Sequence, residues 1–150
     1  MLSDASKPAS LAIPVEISET FDAVSFKVGV DSTTNMGGAM GGDLDPMHGM
    51  YWTWQRGYIN FKLEGTSTAC RTRKHQFLFH IGGYSAPHNA LQKVHLSLPN
   101  TNQGSFDINL SLDAFFENIQ LAKTHTIMSP GEASMNLAKT LPTLFSIAQP

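Results

Sequence analysis

Several stretches of this 150-residue chain alternate apolar and polar residues with a period of two, and that pattern constrains the fold more than any other feature. Within Phe21 to Val30, the apolar Val24, Phe26, Val28 and Val30 are separated by Ser25, Lys27 and Gly29. After Gly57, Ile59, Phe61 and Leu63 fall on one side, and Tyr58, Asn60, Lys62 and Glu64 on the other. From His75 to Gly82, His75, Phe77, Phe79 and Ile81 alternate with Gln76, Leu78 and His80. Leu91 to Leu98 repeats the pattern, with His95 turned out between Val94 and Leu96. Successive strand side chains point to opposite faces, so each stretch reads as a half-buried strand.

The segments between them fill in the architecture. Leu11 to Ile17 reads as a further strand, placed at an edge because Pro14 has no N–H for a ladder. In the extended stretch from Tyr51, Trp52 and Trp54 stand at i and i+2, and Gln55-Arg56-Gly57 reads as a bulge or bend. Ser105 to Leu112 is another strand, and the turn at Pro99 to Gly104 predicts a hairpin with Leu91 to Leu98. Asp113 suits the N-cap of a helix over Ala114 to Ile119. A second helix is expected from Ala133 to Phe145, interrupted at Pro142. The expectation is one domain over residues 1–150, mostly β: an antiparallel β-sandwich with short C-terminal helices.

Composition excludes several functions. Charged residues make up 15% of the chain, against about 25% in ordinary soluble domains. Ser, Thr, Asn and Gln fill the difference, which suits an extracytoplasmic β-protein better than a helical cytosolic enzyme. The net charge is -2, and Arg71-Thr72-Arg73-Lys74 is the only dense basic patch. It reads as a solvated turn, and nucleic-acid binding needs a larger positive footprint. The single cysteine, Cys70, forms no intrachain disulfide and lacks the partners of a catalytic thiol. No apolar run approaches the ~20 residues of a membrane span, and Met1 to Pro8 does not have the pattern of a signal peptide. There is no nucleophile elbow, no zinc-protease helix motif and no phosphate-binding lysine after Gly37 to Gly42. Asp43 and Asp45 read as turn formers. The chain is therefore expected to be non-enzymatic.

The loop from Asp31 to Gly49 has no periodicity, and loops of this length are more often functional than idle. Met36, Met40, Met47, His48 and Met50 lie in or beside it. Thioether and imidazole groups are the donors that select copper. Methionines also fill irregular cores, which is the competing reading. Trp52 and Trp54 divide similarly between core packing and a stacking platform for sugars.

The run Met50-Tyr51-Trp52-Thr53-Trp54-Gln55-Arg56-Gly57-Tyr58 resembles the Met-x-Trp-x-Trp-x-x-Gly-Tyr core of the MbnP-like family, in its Bacteroidetes-type form. Val28-Gly29-Val30-Asp31 with Thr34-Asn35, and Phe77-Leu78-Phe79-His80-Ile81-Gly82-Gly83, resemble two flanking family segments. The resemblance implies a β-sandwich exported to the periplasm or cell surface. In characterised relatives it implies copper held by histidines beside an oxidised tryptophan. His80 matches one family histidine, and Met36 stands where a second would be. The resemblance therefore leaves three outcomes: a copper site of His80 with Met36, one that recruits His48, or a structural sandwich that has lost the metal. No residue matches the modified tryptophan, so Trp52 and Trp54 are expected to be scaffold. Family members usually carry a leader and further strands before the equivalent of Leu2 to Pro8. A sandwich lacking those strands is expected to expose a sheet edge and to self-associate through it.

Overall fold

Alternating residues become strands where their apolar face finds cover. In the computed structural model, which describes residues 12–14, 21–98 and 105–148, the longest are β3 (Gly57–Thr66) and β4 (Gln76–Gly82). They pair antiparallel, with Phe61 opposite Ile81 and Leu63 opposite Phe79. The short strand β2 (Tyr51–Thr53) joins β3 on one side, and β7 (Thr126–Ile127) joins β4 on the other. A second sheet pairs β1 (Ala23–Val28) with β5 (Gln92–Ser97), and a third pairs β6 (Ile108–Leu110) with β8 (Phe145–Ile147).

One face of the central sheet carries the core. Phe77, Phe79 and Ile81 of β4 are buried there, and Phe61 and Leu63 pack with them. The cover is helical: α2 (Leu112–Glu117) brings down Phe115, whose ring centroid lies 5.3 Å from that of Phe61 and 5.5 Å from that of Phe79. Leu137 and Ala138 of α3 (Glu132–Ala138), then Leu141 and Leu144 of a 3-10 turn, complete it. Burying each such side chain stabilises the fold by roughly 1.5–3 kcal/mol before entropy is counted. Ser134 fixes α3 to the sheet, since its hydroxyl accepts the Gly82 N–H and donates to the Gly82 carbonyl, both at 3.0 Å.

The chain is thus mostly β with short helices, as its periodicity implies, with several corrections. The sheets are not wholly antiparallel: β7 runs parallel to β4, because the chain returns to that edge after crossing over through β5, β6 and α2. Helices are not confined to the C-terminal end. Asp31 accepts the Thr34 N–H at 2.9 Å and caps α1 (Ser32–Met36) inside the expected loop. Ser111, not Asp113, caps α2. The expected second helix stops at Ala138, and its C-terminal part becomes the 3-10 turn and β8. The expected hairpin does not form, because Val94 and Leu96 of β5 face Phe26 and Val24 of β1, and β6 finds Phe145 and Ile147 instead. Of the expected strand at Leu11 to Ile17, residues 12–14 are exposed and not in a strand; the rest lies outside the described residues, as does the turn at 99–104.

The tryptophans also separate. A turn follows Thr53, whose carbonyl accepts the Arg56 N–H at 3.1 Å, so Trp54 leaves the strand and is 72% exposed. Trp52 turns inward against Gly82, where an added Cβ would lie 2.8 Å from the indole ring and 2.6 Å from the Tyr58 carbonyl oxygen. Only Trp52 serves as scaffold. Cys70 is buried in the core, and Arg71, Arg73 and Lys74 project from the exposed turn between β3 and β4.

Candidate functional site

The face of the central sheet opposite the aromatic core carries Lys62 and Glu64 of β3 and Leu78 and His80 of β4. Lys62 faces His80 in register, and Glu64 faces Leu78. Glu64 and His80 are therefore diagonal neighbours, close enough for long side chains to meet. His80 Nε2 lies 2.6 Å from Glu64 Oε1. The ring is 7% exposed although it faces away from the core. Among the described residues no hydrogen bond reaches its other nitrogen, Nδ1.

Lys62 completes the cluster. Its Nζ stands 3.6 Å from the same Glu64 oxygen and donates to the Gly49 carbonyl at 3.5 Å. The His80 hydrogen bond holds the Glu64 carboxyl below its ordinary value of 4.5; burial opposes it, and the Lys62 charge adds a smaller lowering. Glu64 escaped the sequence reading. Its signal was its place on the polar side of β3, but its pairing with His80 depends on the register of two strands.

The other expected donors lie elsewhere. Met36 ends α1 and is 72% exposed. That helix is fastened beside Tyr58, which precedes Lys62 by four residues, or about 13 Å along a strand. His48 ends a 3-10 turn, Pro46–His48, and its exposed ring points Nδ1 at the Asp43 carbonyl, 3.3 Å away. The structure brings His80 to Glu64, and Lys62 links that pair to the Gly49 carbonyl, next to His48. Among the described residues, no three of His, Cys, Asp and Glu gather as a metal-holding group.

The loop bearing Met36 and His48 is nevertheless built. The Tyr58 hydroxyl accepts the Met40 N–H at 2.9 Å and sits 3.0 Å from the Leu44 carbonyl, to which it donates. A cleft of about 250 Å³ lies beside it, bounded by Asp43, Asp45, Met50 and Asn60. Asn60 accepts the Val30 N–H at 3.2 Å.

The donor chemistry suits a copper ion in part. A largely buried imidazole with one nitrogen on a carboxylate is the usual state of a metal-binding histidine. One imidazole does not complete a coordination sphere, and among the described residues no group of His, Cys, Asp and Glu gathers to supply the rest.

A family model described as MbnP matches residues 2–129. No curated protein and no solved structure gave a match.

Proposed function

The chain belongs to the MbnP family, and from that premise we propose that it is a non-enzymatic copper-handling protein of the periplasm or cell surface, with His80 as its imidazole donor. The family is associated with methanobactin and copper. The observation that supports the reading is the His80–Glu64 contact, which braces the histidine that resembles a family one. The donor set is incomplete among the described residues, which suits a protein that receives an ion and hands it on, since water or the incoming carrier fills the other positions. Met36 and His48, both exposed, have no ligand role in this proposal. Among the described residues no helix is long and apolar enough to cross a membrane.

One observation favours a second reading, a surface or structural β-sandwich that has lost the metal: no three metal-ligating groups gather among the described residues. The exposed indole of Trp54 supports a third, a carbohydrate-binding module. Intrinsic fluorescence separates them. Quenching by copper and not by oligosaccharides supports copper handling. Quenching by oligosaccharides alone supports the third reading, and no response to either supports the second.

A further inference from the structure

We propose that, independently of any metal, the outer edge of β6 pairs with the same edge of a second copy of the chain, antiparallel about a two-fold axis at Asn109.

Among the described residues, β6 has a strand partner on one side only, β8. The Ser111 N–H donates to the Leu144 carbonyl at 2.8 Å, and the Asp107 carbonyl accepts the Ala148 N–H at 2.9 Å. Backbone groups alternate sides along an antiparallel strand, so Ile108 and Leu110 turn theirs to the outer edge. Phe106, Ile108 and Leu110 share one side of the chain and are each 38% exposed. Ile108 and Leu110 stand opposite Ile147 and Phe145, and Phe145 packs on the core. The stripe is thus the open margin of a core-facing surface. From Ser105 to Asp113 there is no Lys, Arg or Pro, the residues that usually blunt such an edge.

This edge fits itself. Antiparallel pairing about Asn109 sets Ile108 against Leu110, and Phe106 against Leu112, of the other copy. Asp107 meets Ser111 and Asp113 meets Ser105, so no two carboxylates face each other. Centring on Ile108 would set Leu112 against Gly104, and centring on Leu110 would set Asp107 against Asp113. The Asn109 register also places the outward backbone groups of Ile108 and Leu110 in hydrogen-bonded pairs, with Asn109 facing Asn109 in the non-hydrogen-bonded pair between them. The same surface on both copies gives a closed dimer. A net charge of -2 per chain adds little repulsion.

Sedimentation velocity of the wild type from micromolar to millimolar concentration is expected to show the mean mass rise toward that of two chains. In Leu110→Lys, a change at an exposed position, it is expected to stay at that of one chain. Disulfide trapping reads the register. Residues opposed in a non-hydrogen-bonded pair have Cα atoms about 4.5 Å apart, within the disulfide range of about 4.4–6.8 Å. Asn109→Cys is therefore expected to give a covalent dimer by exchange with oxidised glutathione. Asp107→Cys is expected to give none, since its two copies stand about 13 Å apart along the ladder. Cys70 is fully buried and does not compete. A wild type that stays a monomer at every concentration overturns the proposal, as does a dimer that survives Leu110→Lys or that traps Asp107→Cys as well as Asn109→Cys. In such a monomer, slow hydrogen exchange at the Ile108 and Leu110 amides would show a segment of the same chain on this edge instead.

Discussion

The side-chain oxygen of Asn35 accepts the backbone N–H of Tyr58 at 2.8 Å, and this bond fastens the segment after β1 to the hairpin that carries Trp52. The Asn35 amide group also donates to the Val30 and Asp31 carbonyls, at 2.9 and 3.0 Å, so one side chain, 1% exposed, satisfies three backbone groups. Gly57 is required beside it, because a Cβ there would overlap the Asn35 oxygen. Asn35→Ala leaves a buried donor unpaired and is expected to destabilise the fold by about 1–3 kcal/mol. A fall in the urea midpoint with unchanged slope checks it.

Ser134 offers a second test of how the fold is held. Its hydroxyl is both donor and acceptor to Gly82, so Ser134→Ala removes two bonds from the β4 edge at once. A loss of about 1–3 kcal/mol is expected, read as a lower thermal midpoint. Ser134→Thr is expected to keep the bonds and to lose stability only through its added methyl group.

The Glu64–His80 contact has a pH signature. Glu64 is the group whose folded value is lowered, so its contribution is present above the ordinary 4.5 and is lost as pH falls through the lower folded value. With the carboxyl 44% exposed, solvent screening limits the effect to roughly 0.2–1 kcal/mol. The stability difference between wild type and Glu64→Ala is expected to be present at neutral pH, to vanish in strong acid and to shrink in high salt. Chemical denaturation across pH measures it.

The two tryptophans are expected to differ in solution as they do in place. Acrylamide is expected to quench Trp54 readily and Trp52 weakly, compared in Trp52→Phe and Trp54→Phe. Trp54→Phe is expected to change stability by less than about 0.5 kcal/mol, as exposed substitutions do. Trp52→Phe is expected to cost more, because it uncovers Gly82.

What could be read in the sequence followed from periodicity. β1, β3, β4 and β5 each turn an apolar face inward, and alternation shows that directly. β7 and β8 are two and three residues long, too short for any period, and their partners are chosen by tertiary packing. α1 went unread because Asp31 to Met36 buries only Asn35, a polar residue, so no apolar stripe marks it. Trp54 was misplaced because spacing by two implies one face only while the strand continues, and this strand turns at Thr53. His80 was recognisable through its resemblance to a family segment. Glu64 was not, because a diagonal contact between strands depends on register, and the shift between Ile59 and Phe61 changes that register.

The central claim, that His80 is the copper donor of this chain, is tested most directly by calorimetric titration of copper(II) into the wild type, His80→Ala, Met36→Ala and His48→Ala. Binding is expected in the wild type, to be lost in His80→Ala, and to stay within about twofold in the other two, a difference of roughly 0.4 kcal/mol. Binding that is unchanged in His80→Ala would contradict the account.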